Sequence, residues 1–343
     1  MNILNLPTEI FYIINEYVNI TNNLCLTNKL FINILLNIRY VRLYETKSIK
    51  YYKKINFRRF INSLINNTGE QLSLYFSNID FLPCDFTSFN NINKITFNTV
   101  TFGNVNIPSF YNISQVTFLD CYNLTQLSSF VNVHTVDIFD CPLIEDVTPF
   151  ANVKTLTLSN CINLRDVSPL VNVKTLILSE CINLTDVSPL ANVPILELNR
   201  CSNLRDISNI GNHYDLTISY CPVSDVSSLS NVHKLNLYGC HEITDVSPLC
   251  NVHELRIFYC TKIKDVAPLC NVHELYITAC GYIKNVSKLI NVQILIIEDC
   301  AGLTYEDASP LINAKILSIN YYDELIIIER GMEERNIKRQ RIY

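Results

Sequence analysis

Ten cysteines fall in one column of this sequence: Cys121, Cys141, Cys161, Cys181, Cys201, Cys221, Cys240, Cys260, Cys280 and Cys300. Eight of the nine intervals between them are 20 residues long, and one, Cys221 to Cys240, is 19. The flanking residues repeat too. Val153 to Asn172 reads VKTLTLSNCINLRDVSPLVN, and related blocks start at Val173, Val193, Val232, Val252 and Val272. Self-similarity at a fixed 20-residue period means a stack of one supersecondary unit, and it overrides any element-by-element reading.

Inside one repeat, Leu156 and Leu158 alternate with Thr155, Thr157 and Ser159. That period of two predicts a short strand with its leucines buried and its other face open. Leu164, Val167 and Leu170 then follow at intervals of three, which suits an extended turn leading into a 3₁₀ turn. Ser168-Pro169 reads as an N-cap followed by the first helical residue, where proline's missing N–H costs nothing. Asn172, with its counterparts such as Asn152, Asn192 and Asn251, is expected to make the left-handed return to the next strand. With only 7 glycines in 343 residues, asparagine has to supply such turn chemistry.

The resulting pattern, V-x-x-L-x-L-x-x-C-x-x-L-x-D-V-S-P-L-x-N, resembles the leucine-rich repeat, in the subclass with a 3₁₀ convex side. The resemblance is specific from Val116 to Ile297, and weaker units extend it at Leu72–Leu74, Ile95–Phe97 and Leu317–Ile319. It implies an α/β solenoid with a parallel sheet on its concave face, about thirteen strands within residues 69–329. At ~4.8 Å per strand the stack would be on the order of 60 Å long. A single repeat cannot bury its own apolar face, whereas a stack buries a continuous core.

The chain is 48% hydrophobic and 17% charged, enough apolar residues to fill such a core. Its net charge of −5 gives no reason to expect nucleic acid. Residues 1–17 carry no basic leader and include Glu9, so they do not read as a signal peptide. No apolar run reaches the 18 residues a membrane span needs. Parallel cysteines in adjacent repeats, roughly 4.8 Å apart, miss the ~3.8 Å Cβ separation that a disulfide prefers. Buried, reduced thiols in a reducing cytoplasm or nucleus are therefore expected. The bias to Asn, Ile, Tyr and Phe, without Trp, is what AT-rich codons produce, as in some protists and giant viruses.

Residues 1–40 are a different object. Leu6-Pro7-Thr8-Glu9-Ile10 opens with an apolar anchor, a proline at a helix start and an acid in the first turn. Ile10, Ile13, Ile14 and Tyr17 continue at helical spacing, and two further short helices are expected around Leu24 and from Lys29 to Arg39. This three-helix stretch resembles an F-box, the module that docks on a Skp1-type adaptor of a cullin–RING ubiquitin ligase. The resemblance implies adaptor contacts through Leu6, Pro7, Glu9, Ile10, Ile14, Tyr17, Leu24 and Phe31. Two departures from the family stand out: Asn23 occupies the usual acid position, and Thr27 to Phe31 replaces a Cys-Arg-x-Trp-like segment. An amphipathic helical cap shielding the first repeat is the other reading of the same residues.

Residues 41–68 are basic and, with Phe57, Phe60, Ile61, Leu64 and Ile65, read as an amphipathic linking helix ending near Gly69. Leu325–Ile328 reads as a terminal strand, and residues 330–343 as a basic, solvated tail. His233, His253 and His273 share a column with His134 but lack a converging second ligand type, so surface histidines are expected and no metal. The aspartate column, Asp146, Asp166, Asp186, Asp206, Asp225, Asp245 and Asp265, is explained by turn and cap hydrogen bonds. No nucleophile–base pair or phosphate loop stands out, so neither catalysis nor a cofactor is expected.

The concave face is the informative surface, because it varies while core and turn columns repeat. Its early half is bland: Thr155, Thr157, Ser159, Asn160, Thr175 and Ser179. Later it turns aromatic and charged, with Tyr220, Tyr238, Glu254, Arg256, Phe258, Tyr259, Glu274 and Tyr276. Clustered exposed aromatics mark interfaces, which makes these eight the candidate client-binding residues. Taken with the F-box resemblance, they imply a non-catalytic substrate receptor of an SCF-type ligase. The competing reading is a free-standing interaction scaffold whose N-terminal helices only cap the repeats.

Overall fold

The computed structural model describes residues 113–301 apart from 126, together with 40–44, 48–50, 53–54, 71–78, 80–81, 92–102, 303, 310–311, 316–321, 324–329 and 338–341. The F-box-like segment at residues 1–39 and the linker residues 55–70 lie outside the described residues. The chain divides into two compact units, Met1–Tyr75 with Cys84–Lys94, and Phe76–Pro83 with Ile95–Tyr343.

In the first unit, β1 (Tyr40–Tyr44) runs parallel to β2 (Gln71–Ser77), with Val41 opposite Leu72 and Leu43 opposite Leu74. The buried Ser48 ties them, its hydroxyl donating to the Leu43 carbonyl and accepting the Tyr75 N–H at 3.0 Å. The residues of the expected linking helix, Phe57 to Ile65, lie outside the described residues, and residues 48–50 are helical. The strand Tyr-Val-Arg-Leu-Tyr contains two aromatic residues and a β-branched one, types enriched in strands.

The second unit contains the repeats. A minor pair of two-residue strands, β3 (Asp80–Phe81) and β5 (Thr101–Phe102), runs parallel, on either side of β4 (Ile92–Asn98) in chain order. Then come β6 (Gln115–Leu119), β7 (Thr135–Phe139), β8 (Thr155–Ser159), β9 (Thr175–Ser179), β10 (Ile195–Asn199), β11 (Asp215–Ser219), β12 (Lys234–Tyr238), β13 (Glu254–Phe258), β14 (Glu274–Tyr282), β15 (Ile294–Ala301) and β16 (Ile316–Tyr321). From β6 to β16 each strand pairs parallel with the next in sequence order. The register is one whole repeat, for example Leu156 opposite Leu176 and Leu176 opposite Leu196. With β2 and β4, thirteen described strands carry the paired apolar positions. After β16 the direction reverses: β17 (Glu324–Glu329) and β18 (Lys338–Arg341) pair antiparallel. Lys338–Arg341 therefore belongs to a strand pair, where the sequence alone suggested a solvated tail.

Seven positions per repeat point inward. Leu156, Leu158, Cys161, Leu164, Val167, Leu170 and Val173 are each at most 1% exposed. Burying a large aliphatic side chain is worth about 1.5–3 kcal/mol, so the stack's cohesion is a sum of these columns. Toward the start of the array, phenylalanine takes over the second strand position. Phe76, Phe97 and Phe118 stack at 5.6 and 5.3 Å between ring centroids, and Phe130 meets Phe118 edge-on at 5.1 Å.

The 3₁₀ turns fall where expected, at Ser168–Leu170, Ser188–Leu190 and their equivalents. Their capping differs by one residue from the sequence reading. Ser168 is the first 3₁₀ residue and Pro169 the second, while the cap comes from Asp166, whose Oδ1 accepts the Ser168 N–H at 2.8 Å. The same bond recurs at Asp146, Asp186, Asp206, Asp225, Asp245 and Asp265. Hydrogen bonds from Ser168 hold the Asp166 carboxyl below the usual carboxylate range.

The left-handed position is also elsewhere. Positive φ falls on the residue before each cysteine, as in Asn160 (52°), Glu180 (53°), Tyr220 (51°), Tyr259 (56°) and Ala279 (53°), and not at Asn172. At Asn160, Glu180, Tyr220 and Tyr259 the backbone N–H reaches the end of the following strand: Asn160 N donates to Ser179 O at 2.8 Å and Tyr220 N to Tyr238 O at 2.7 Å. That bond to the next repeat offsets the cost of placing a non-glycine residue there, of order 1–3 kcal/mol.

The Ser228 carbonyl lies so close to Gly211 that a Cβ at 211 would collide with it. Two residues on, His213 occupies the column held elsewhere by Val153, Val173, Val193 and Val232, and is 1% exposed. Its Nδ1 meets the Val193 carbonyl, and its Nε2 has no partner.

Candidate interaction surface on the open strand face

The pleat sends alternate strand residues outward, and the one-repeat register lines them up in rows. Asp215, Lys234, Glu254 and Glu274 form one row across β11 to β14, Thr217, Asn236, Arg256 and Tyr276 a second, and Ser219, Tyr238, Phe258 and Thr278 a third. The left-handed residues Tyr220, Gly239, Tyr259 and Ala279 border the third row. All eight sequence-predicted client residues thus lie on one open face.

Tyr220, Tyr238, Phe258 and Tyr259 come together as an aromatic cluster. Tyr238 sits 5.2 Å from Tyr220, 5.9 Å from Phe258 and 5.3 Å from Tyr259 between ring centroids. Tyr220 and Tyr259 are 41% and 46% exposed, a large apolar area to leave in water. A hydrogen bond with Tyr220 raises the Tyr238 hydroxyl above its ordinary pKa. Gly239 is the residue that seats Tyr220. A Cβ at 239, where φ is +61°, would run into the Cδ1 and Cε1 atoms of the Tyr220 ring.

The other four predicted residues form a polar chain. Lys234 Nζ lies 3.8 Å from Asp215 and 3.6 Å from Glu254, and Arg256 Nε donates to Glu254 at 2.8 Å. The Arg256 guanidinium sits 4.4 Å from the Tyr276 ring centroid, and the Tyr276 hydroxyl donates to Glu274 at 3.2 Å. Burial, reinforced by the neighbouring Glu274 carboxylate, raises the Tyr276 hydroxyl. Arg256, expected from sequence to reach toward a partner, is instead engaged by Glu254 and Tyr276. Both are on its own or the adjacent strand, so their contact forms on folding.

Sequence reasoning missed Asp215, Lys234, Asn236, Gly239 and Arg200. Arg200 sits 5.3 Å from the Tyr220 ring centroid and 3.3 Å from Glu180. The available signal was positional: Gly239 is a glycine in the column otherwise filled by Asn160, Glu180, Arg200, Tyr220 and Tyr259. The early half of the face is not uniformly polar: Leu119, Phe139 and Ile177 hold outward positions on β6, β7 and β9, beside polar residues such as Asp137, which accepts from Gln115 at 2.8 Å.

Tyr214, His233, His253 and His273 form an exposed ring ladder, with successive centroids 4.8, 4.7 and 4.7 Å apart. Among the described residues no group of three or more His, Cys, Asp or Glu is arranged to hold a metal ion. No described helix is long and apolar enough to cross a membrane. The ten column cysteines are unpaired and buried. Seven of the thiols donate to a backbone carbonyl of the preceding repeat, as Cys181 to Leu158 at 3.7 Å and Cys240 to Ile218 at 3.3 Å, while Cys141, Cys161 and Cys300 donate to a carbonyl of their own strand. Burial pushes the Cys181 thiol up to about 11, and raises Cys161 as well. The adaptor-contact positions Leu6, Pro7, Glu9, Ile10, Ile14, Tyr17, Leu24 and Phe31 lie outside the described residues.

One parallel strand and one 3₁₀ turn per 20 residues, stacked in register, is the architecture of a leucine-rich-repeat solenoid. No protein-family model and no curated protein matches the sequence. Among solved structures, the chain is similar to an internalin (inlF) from Listeria monocytogenes, at 22% identity over 66% of this chain and 73% of that one, with a TM-score of 0.45. It is also similar to an internalin C2 from the same organism, at 28% identity over 48% of this chain and 80% of that one, with a TM-score of 0.37. The repeat architecture rests on the strand register above and draws nothing from these scores.

Proposed function

We propose that this chain is a non-catalytic recognition scaffold that binds a protein client on the open face of β11–β15. We further propose that residues 1–40 join it to a Skp1-type adaptor, which would make it the client-recognition subunit of an SCF-type ubiquitin ligase. The observation that carries the first part is the exposed aromatic cluster at Tyr220, Tyr238, Phe258 and Tyr259, seated on Gly239. Aromatic rings offer large contact area with few rotors to freeze, and such residues dominate binding hot spots.

The adaptor half is supported by the L-P-x-E-I opening and its position ahead of a repeat array. Its test is a titration of purified Skp1-type adaptor into the full chain by calorimetry. Binding that is lost in a Pro7→Ala, Ile10→Asp double variant is the expected result, because a buried charge would then lack a partner. No adaptor binding by the unaltered chain would leave the free-standing scaffold, with residues 1–40 acting as a cap.

A further inference from the structure

We infer that the client segment taken by this face is a cationic stretch of polypeptide, rich in Lys or Arg and about seven or eight residues long. The inference rests on the reading of the open strand face as the client site and specifies its chemistry. Across β6 to β15, the outward strand positions and the left-handed column carry ten carboxylates: Asp120, Asp137, Asp140, Glu180, Glu197, Asp215, Glu254, Glu274, Glu298 and Asp299. They carry three cations, Arg200, Lys234 and Arg256. All three are already held by carboxylates of the same face: Arg200 by Glu180, Lys234 by Asp215 and Glu254, and Arg256 by Glu254. The face therefore carries more net negative charge than the whole chain, whose formal net charge is −5. The remaining residues must be net positive, so the charge separation follows the fold.

The aromatic cluster sits inside this acidic field. Tyr220 and Tyr276 already have an arginine over the ring. Among the described residues, no cation stacks on Tyr238, Phe258 or Tyr259. In strand order Glu197 lies on β10, next to β11, and Glu298 and Asp299 lie on β15, two strands beyond β13; no described residue forms an ion pair with them. A ring that lacks a cation, with a carboxylate near it, is the arrangement that takes an ammonium or guanidinium by cation–π and charge-assisted contact together. A polyanion such as nucleic acid meets ten carboxylates here and is repelled.

The length follows from the strand spacing. Five intervals separate β10 from β15, about 24 Å at ~4.8 Å each. An extended peptide covers that in about seven residues at ~3.4 Å per residue. The acidic field also draws such a segment in from a distance, an effect that falls as ionic strength rises.

The test uses the full chain and three fluorescein-labelled eight-residue peptides, one alternating Lys or Arg with Ser, one with Glu in place of the cations, and one all Ser. Binding is followed by fluorescence anisotropy at low and physiological salt. The expected result is saturable binding of the cationic peptide alone. It should weaken at least tenfold in a Glu197→Gln, Glu298→Gln variant and at least tenfold in a Tyr238→Ala, Phe258→Ala variant. Retained peptide affinity in both variants would overturn the inference, as would equal binding of the acidic peptide. Spermine competing as well as the peptide would overturn its polypeptide part. If no peptide binds while a cellular protein client is lost in the aromatic variant alone, this inference fails and the client-site reading stands. If the cationic peptide binds with the expected variant pattern but clients survive the aromatic variant, the failure lies with the client-site reading.

Discussion

Replacing His213 with valine should stabilise the protein and flatten its stability profile in mild acid. The imidazole sits in a column of valines at 1% exposure, with Nε2 unpartnered. A buried polar group without a hydrogen bond costs about 1–3 kcal/mol. Against this, the valine side chain would lack the Nδ1 contact with the Val193 carbonyl and leave a small packing defect, together about 0.5–1.5 kcal/mol. The expected net gain is about 1 kcal/mol at neutral pH. The pH dependence has a definite sign. Burial lowers the His213 pKa below its ordinary 6.5, so the unfolded chain takes up a proton more readily than the folded one. The native chain then loses stability as pH falls from the unfolded value toward the folded one, at no more than about 1.4 kcal/mol per pH unit for one proton. His213→Val should lack that component, so the gain should widen between pH 7 and 5. Urea denaturation of both proteins across this range measures it. A variant less stable at pH 7, or a difference that does not grow on acidification, would refute the reasoning.

Other predictions concern the repeat itself. Cys181→Ala should cost about 1–2 kcal/mol, from a small buried apolar group and a thiol hydrogen bond. In native protein, thiol reagents should find the ten column cysteines silent and label the half-exposed Cys250 and Cys270; rapid labelling of the column without denaturant contradicts this. Ala279→Gly should stabilise by about 0.5–1 kcal/mol, because relief of a left-handed φ of 53° exceeds the added freedom of the unfolded chain. Unchanged or lower stability by urea titration would show that position to be unstrained.

The fold was legible because a stack makes tertiary contacts out of local pattern. Leu156 packs against its own equivalents, so the 20-residue period exposes both strand and core. The left-handed column was not legible, since Asn160, Glu180, Arg200, Tyr220 and Tyr259 share no chemistry. What they share is an N–H aimed at the next repeat. Asn172 looked the better candidate only because asparagine recurs there. Asp166 and Ser168 could each have served as the cap, and hydrogen-bond geometry decided between them. The open face was readable as a set of residues but not as a network. That Arg256 is held by Glu254 and Tyr276 depends on side-chain conformations that register alone does not specify. His213 was visible as an exception in a valine column, but its unpartnered Nε2 required the surrounding repeats.

The central claim is that recognition lies on β11–β15 and not on the early strands. The direct measurement is the affinity of the full chain for a client it retains, compared with Tyr238→Ala, Phe258→Ala and with Thr157→Ala, Ser179→Ala. All four side chains are on the open face, so circular dichroism should show both variants folded. The account predicts a loss of about 2 kcal/mol, roughly 30-fold, for the aromatic pair, and nearly unchanged binding for the control pair. A control pair that weakens binding as much as the aromatic pair, or more, would contradict it.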